Sequence, residues 1–382
     1  MKKIFMIGDF LFHSTEYLSE ESMWALKLFF PMIRDAVNDK IEVMFEIRDS
    51  ESNIFSREHF YKLGGLLNPK YKYNDYDVNS FNENQINYLK KFFNEDTIII
   101  GFELYETMAN LLSSFGCKII DFAIHSYKLF DDMCFAIYTN DLSIYNQLLK
   151  YQIPRNKFFY YANYWKIFME NNGMIKDDDL EDNSALFIGQ TLIDKSVVSN
   201  GKFLNVTDYD EKLKELNKKY SKIYYLPHPA LGNKRKFIYD YVLKSPYIEL
   251  LENRSTYGLL ASDKIKKVVG ISTSVLYEAQ YFNKEVEYLL HPLFNIDALF
   301  EEHSYVSILD DYFSPKFWAD ILAPVCDVNQ YAQDLNYFKP SHNKIRNIRN
   351  LYWGYAQLDP IQRIPNIERG IKNIYRKLLY KF

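Results

Sequence analysis

The chain has 382 residues, more than one ordinary core serves, and that length suits two α/β domains of similar size. With 48% hydrophobic and 25% charged residues the sequence is globular rather than disordered, and a formal net charge of −4 speaks against a dedicated nucleic-acid binder. The three cysteines, Cys117, Cys134 and Cys326, form no CxxC pair. They read as buried thiols of a reducing compartment, not as a disulfide frame or a zinc site.

The first apolar run, residues 4–8, stops at Asp9. That is too short for the core of a signal peptide, so it reads as a first strand. No stretch approaches the length of a membrane-spanning helix, and a cytoplasmic location is expected. Strand-like runs follow at 42–47, 97–101 and 118–124, alternating with helical periods at 21–37, 83–93, 105–115, 142–151 and 158–170. Such alternation predicts a parallel sheet with helical crossovers. The acidic stretch 171–183, with Asp177, Asp178, Asp179 and Asp182, reads as a solvated linker rather than a metal site.

A second α/β series begins after it. Strands are expected at 185–189, 222–226, 248–252, 267–271 and 285–290, and helices at 210–220, 234–243, 257–262 and 274–282. Helical segments near 317–322, 345–355 and 366–381 close the chain. The expected division is a first domain at 1–175, a second at 184–345, and terminal helices at 346–382. Two doubly wound, Rossmann-like domains facing across a cleft, the GT-B arrangement of glycosyltransferases, fit this order.

Two strand ends carry the chemistry. The run 222–226 ends in Pro227-His228-Pro229. Proline on both sides fixes the backbone and removes two amide donors, which holds the imidazole in one direction, as a phosphate ligand requires. The alternative is a loop histidine that caps a strand. Cations in the following run 232–236 oppose the dipole of the next helix, so they await either a partner anion or solvent.

The run 267–271 ends in Ser272, Thr273 and Ser274, which open a helix. A hydroxyl cap is common, but after a buried strand it offers amides and hydroxyls to a phosphate. Glu278, one turn in, either accepts from ribose hydroxyls or is an exposed polar position. Both strand ends would lie at the carboxyl edge of one sheet, where open α/β sheets bind ligands.

The segment Gly189-Gln190-Thr191-Leu192-Ile193-Asp194-Lys195-Ser196 follows the first strand of the second series. Asp194 there is a nucleophile or base, or else the cap of the next turn. In the first domain Glu103, Asp121 and His125, with Asp131 and Asp132 beyond, stand at strand ends where an acceptor hydroxyl would bind.

These segments together resemble the retaining β-Kdo glycosyltransferases of bacterial capsule and lipopolysaccharide O-antigen assembly. More broadly, they resemble the bacterial sialyltransferases and Kdo transferases that use CMP-sugars. The matching stretches are GFELYE at 101–106, IDFAIHSYKLFDD at 120–132, IGQTLIDKS at 188–196, LPHPALG at 226–232, GISTSVLYEA at 270–279 and RNLYWGYAQL at 349–358.

The resemblance implies a GT-B fold with the saccharide acceptor, free or lipid-linked, on the first domain and CMP-Kdo on the second. It implies Asp194 as the nucleophile that forms a glycosyl adduct. His228, with Pro229, and Ser272, Thr273 and Ser274 would hold the CMP phosphate, with Gln190 and Glu278 completing the donor site. An acidic residue of the Glu103 or Asp121 region would activate the acceptor. Lys195 and Ser196 would bind the Kdo carboxylate. The basic position of the IHSYKLF stretch is Lys128 where the family's pattern leads one to expect arginine. Retention calls for two displacements, a carboxylate first and a base-assisted attack second. No cofactor and no metal are expected.

Two other functions stay open at this point. One is an inverting CMP-sialic acid transferase with an aspartate base. The other is a non-catalytic glycan- or nucleotide-binding module. The terminal stretch carries Arg369, Lys372, Arg376, Lys377 and Lys381 between Ile371, Ile374, Leu378 and Leu379. It reads as a basic amphipathic helix that rests on the anionic inner membrane leaflet or packs back on a domain.

Overall fold

The structure, a computed structural model, describes residues 2–10, 23–38, 42–45, 55–65, 81–192, 194–200, 202–229, 231, 235–294, 296, 305–334, 345–347 and 349. The terminal helices expected beyond residue 349, including the basic one, lie outside them. Thirteen strands are described: β1 (Lys3–Gly8), β2 (Glu42–Phe45), β3 (Thr97–Phe102), β4 (Lys118–Ile124), β5 (Phe135–Thr139), β6 (Ser184–Ile188), β7 (Val198–Ser199), β8 (Lys202–Phe203), β9 (Ile223–Leu226), β10 (Ile248–Leu250), β11 (Ile265–Gly270), β12 (Glu285–Tyr288) and β13 (Val306–Ile308).

The protein is α/β and divides into two compact units. The first comprises Met1–His125, Asp132–Ile153 and Ile296–Trp353; the described residues of the second lie in Ser126–Asp131 and Pro154–Asn295. Residues 171–183, read above as a linker, fall inside the second unit. There the Asp177 carboxylate accepts from Ser262 Oγ at 2.5 Å and Asp179 pairs with Arg254.

The first unit is built on a six-stranded sheet of order β13-β5-β4-β3-β1-β2. Strands β2, β1, β3 and β4 are parallel, as the alternation of strands and helices predicts. Strand β5 runs antiparallel to β4, and β13 antiparallel to β5, so this sheet is mixed rather than wholly parallel. Helices cover both faces. Ile4, Met6, Ile98, Ile100 and Ile120 pack against Trp24, Phe29, Ile144 and Trp318, while Phe5, Ile7, Ile99 and Ile119 pack against Phe60, Leu89, Met108 and Leu112. Period-two alternation thus feeds two separate cores.

The second unit has a five-stranded, wholly parallel sheet of order β10-β9-β6-β11-β12. Counted in chain order within the unit this is the 3-2-1-4-5 arrangement of a Rossmann sheet. Strand placement runs outward from β6 on one side and from β11 on the other. The switch point therefore lies between β6 and β11, where ligands of such sheets bind beyond the carboxyl ends. Ala185, Phe187, Ile223, Tyr225 and Val269 join Leu213, Leu216, Ile238 and Val242 in one core. Their neighbours Leu186, Tyr224 and Val268 are buried as well, which is why these strands read as continuous apolar runs. Among the described residues no helix is long and apolar enough to cross a membrane.

Candidate functional site

Strand β6 delivers Gly189 and Gln190 to the switch point, and β11 delivers Ile271, Ser272 and Thr273 beside them. Gly189 donates its N–H to the Leu226 carbonyl at 2.8 Å, which ties the exit of β6 to the exit of β9. A Cβ on Gly189 would stand 2.5 Å from Tyr225 Oη and 3.0 Å from Leu226 O. Only glycine fits that approach. We expect Gly189→Ala to destabilise the fold by about 1–3 kcal/mol through this overpacking. A melting temperature equal to that of the unaltered protein would contradict it.

Gln190 stitches the two strand exits together. Its Oε1 accepts the Ser272 N–H at 2.8 Å, and its Nε2 donates to Ser272 Oγ at 3.3 Å and Ser196 Oγ at 3.4 Å. Ser272 Oγ in turn donates to the Ser196 carbonyl. The turn that carries Asp194 is thereby fixed to the β11 exit. Asp194 Oδ1 accepts the Ser196 N–H at 2.8 Å and opens the short 3-10 turn Lys195–Val197. That bond orients the carboxylate. The side chain of Lys195 lies outside the described ones.

Thr273 caps the helix Ser274–Ala279, its Oγ1 accepting from the Val275 N–H at 3.3 Å. Ser272 and Thr273 are nearly buried. Ser274 Oγ accepts from Lys128 Nζ at 3.2 Å. Lys128 belongs to Ser126–Asp131, the segment between β4 and β5 that forms part of the second unit. It is exposed between buried neighbours, Tyr127 and Leu129.

His228 follows β9, and its carbonyl accepts the Leu231 N–H at 3.2 Å; Pro229 is exposed in the turn between them. Burial pushes the His228 imidazole below its ordinary range, the ammonium of Lys128 pushes it further down, and Asp194 opposes both. The ring is neutral at pH 7 and offers a single N–H donor. Glu278 is 0% exposed. Its Oε1 accepts the Lys128 backbone N–H at 2.7 Å, and Tyr257 Oη stands 3.1 Å from each carboxylate oxygen. The alternative of an exposed polar position is excluded by that burial.

The first unit holds an acidic group around the exit of β3, with Asp121 in the middle of β4 paired to Gly101. Glu103 adopts a left-handed φ of 53°, and its N–H bonds the Phe122 carbonyl at 2.8 Å. Asp121 is buried, its Oδ1 accepting the Leu104 N–H at 3.1 Å. Burial raises Tyr305 and Tyr138, with Asp121 and Glu106 adding to the effect in both and Glu103 in the former. The sequence reading missed Tyr138 and Tyr305, which have no motif around them, and passed over Glu106, the last residue of the GFELYE stretch.

His125 is fully enclosed, its Nε2 2.9 Å from Ser307 Oγ. Asp132 receives the backbone N–H groups of Ile345 and Arg346, each at 2.9 Å, and Asp131 accepts from Tyr161 Oη at 3.0 Å. These three serve the scaffold. Of the cationic run 232–236, residues 232–234 lie outside the described residues.

No family model and no curated protein matches the chain. Solved structures give a faint likeness. Thermosulfurimonas dismutans KpsC, β-Kdo 2,7-transferase, shares 11% identity at a TM-score of 0.38 over 84% of this chain and 90% of its own. The β-Kdo 2,4-transferase of KpsC from the same organism shares 10% at 0.38, over 92% and 97%. The UDP-GlcNAc 2-epimerase of Neisseria meningitidis shares 15% at 0.24, over 76% and 82%. At these values the likeness decides neither family nor activity.

Proposed function

We propose that the chain is a glycosyltransferase that takes Kdo from CMP-Kdo, bound in the second unit, and passes it with retention to a saccharide of a bacterial surface polysaccharide. One observation carries this reading. At the switch point of a Rossmann sheet, Gln190, Ser196 and Ser272 form a knitted platform, with Lys128, Ser274 and His228 supplying a cation, a hydroxyl and an imidazole N–H. That set suits one phosphate group and needs no glycine-rich loop. The preference for CMP-Kdo rests on the motif resemblance at 188–196, 226–232 and 270–279.

In this reading the Asp194 carboxylate attacks the anomeric carbon of Kdo, and the C–O bond to CMP breaks with its electron pair passing to the phosphate oxygen. An acceptor hydroxyl then attacks the same carbon and regenerates Asp194. The proton of that hydroxyl passes to a general base, the role that the resemblance gives to an acidic residue of the Glu103 or Asp121 region. The acceptor in this reading is a saccharide, free or lipid-linked.

The deciding experiment offers the protein CMP-Kdo and CMP-sialic acid separately with acceptor glycans and measures CMP release. Release from CMP-Kdo supports the reading. Release from CMP-sialic acid alone moves the assignment to a sialyltransferase, and release from neither leaves a binding module.

His228 gives this site a pH signature. An anion beside the ring raises its depressed pKa, so binding takes up a proton and tightens as pH falls. Between about pH 8 and pH 5.5 we expect the His228 contribution to CMP affinity to grow roughly tenfold. His228→Ala reports the titration of the CMP phosphate alone, and calorimetry on both proteins isolates the difference. Identical pH profiles would remove His228 from the phosphate site.

A further inference from the structure

The segment Ser126–Asp131 is pinned into the second unit at nearly every residue. Tyr127 Oη donates to the Phe158 carbonyl at 2.5 Å, Trp165 Nε1 to the Leu129 carbonyl at 2.7 Å, and Tyr161 Oη to Asp131 at 3.0 Å. Tyr127 and Phe130 stack edge-on with Phe158, Tyr281 and Tyr161. The remaining anchor is Glu278, whose wholly buried carboxylate accepts the Lys128 N–H and faces Tyr257 Oη.

A carboxylate taken out of water needs its oxygens satisfied, and here protein donors satisfy them. Because the charged acceptor holds the backbone of Lys128, it fixes where the ammonium emerges. That ammonium meets Ser274 Oγ at the start of the same helix that carries Glu278.

We infer that Glu278, backed by Tyr257, is a positioning residue that fixes Lys128 as the phosphate-binding cation of the site. The assignment rests on the phosphate site proposed above and departs from the ribose-binding role that the sequence motif suggests for Glu278. The two roles differ in a measurable way. A ribose contact serves cytidine and CMP alike, whereas a fixed cation serves only the phosphate.

The test uses the full chain with cytidine, CMP and the variants Glu278→Ala, Glu278→Gln and Tyr257→Phe. Glu278→Ala is expected to weaken CMP about tenfold and cytidine hardly at all. Glu278→Gln keeps an acceptor for the Lys128 N–H and is expected to restore most of the loss. Tyr257→Phe gives a smaller loss of the same kind, and it serves if Glu278→Ala fails to fold. Equal weakening of cytidine and CMP overturns the inference and leaves the nucleotide site standing.

A second readout needs no nucleotide. Among the described residues, Lys128 and Asp194 are charged groups that act on His228. Loss of a nearby carboxylate alone would lower the pKa of that imidazole, whereas displacement of Lys128 would raise it. By NMR titration, Glu278→Ala is expected to raise the His228 pKa, and to do so no longer in a Lys128→Met background. A fall, or a rise that persists without Lys128, overturns the positioning role even in a protein that binds no CMP. A wild-type protein that binds neither CMP nor cytidine, yet shows the His228 rise, sinks the nucleotide reading while the coupling stands.

Discussion

Asp194→Asn is expected to lower CMP release from CMP-Kdo by about a thousandfold or more, with CMP affinity changed by less than about threefold. The separation follows from the geometry. The native carboxylate spends Oδ1 on the Ser196 N–H, and an asparagine amide oxygen accepts that bond equally well. The turn Lys195–Val197 and the platform of Gln190, Ser196 and Ser272 should therefore persist. The amide does not supply the anionic nucleophile that the first displacement requires. Mass spectrometry of the unaltered protein with CMP-Kdo should show a covalent sugar increment that the variant lacks. Turnover by Asp194→Asn near the unaltered rate would reduce Asp194 to the cap of its turn.

The second large effect concerns stability in acid. Burial holds the His125 imidazole down at about 3, against an ordinary value of 6.5. Its folded pKa lies below its unfolded one, so below pH 6.5 the unfolded chain binds a proton that the folded chain refuses. Stability is then lost as pH falls from 6.5 toward 3, at about 1.4 kcal/mol per pH unit for this group. His125→Gln keeps a polar partner for Ser307 and removes the titration. Urea midpoints at about pH 7 and pH 4.5 should fall further for the unaltered protein than for the variant, by roughly 2–3 kcal/mol in free energy. An equal acid-induced loss in both proteins would show that His125 is not the group responsible.

Much of the fold is legible in the sequence because the parallel strands are buried on both faces. β3 in the first unit, and β6 and β9 in the second, stand out as apolar runs, while β4 and β11 carry shorter ones, broken by Asp121 in β4 and preceded by Lys266 and Lys267 in β11. The strands that escape notice are short or have their reasons elsewhere in the chain. β13 has only three residues, and the five-stranded sheet of the second unit stands between it and its partner β5 in the chain, so neither carries a local signal for the other. The helix Arg57–Leu63 is missed for a similar reason, being a short piece that owes its stability to Phe60 and Tyr61 in the core.

At the site, the residues of the switch point are legible because strand ends in such sheets are predictable places. The partners are not. Nothing around Lys128 announces that its backbone will meet Glu278, 150 positions away, or its ammonium Ser274. Nor does the position of Glu278 one turn into a helix distinguish a wet face from a sealed one. Helical spacing fixes the face, and the tertiary neighbour decides what covers it. Gln190 is a third case. Its motif drew attention for Asp194, while the glutamine itself turns out to be the cross-link on which that turn depends.

The late arrival of β13 has a consequence for synthesis. Strand β5 leaves the ribosome with one pairing edge open, and β13, which closes it, emerges only after the whole five-stranded sheet of the second unit. At ~5–20 residues per second that interval lasts on the order of ten seconds or more. During it Phe135 and Ile137 lack Val306 and Ile308, and Phe122 lacks Trp318. A nascent chain at this stage exposes both an unpaired strand and an uncovered aromatic surface. The second unit, by contrast, has all its strands in one uninterrupted run from Ser184 to Tyr288 and can complete its sheet first. Order of sheet closure along this chain therefore runs against order of translation: the sheet begun first is the one finished last.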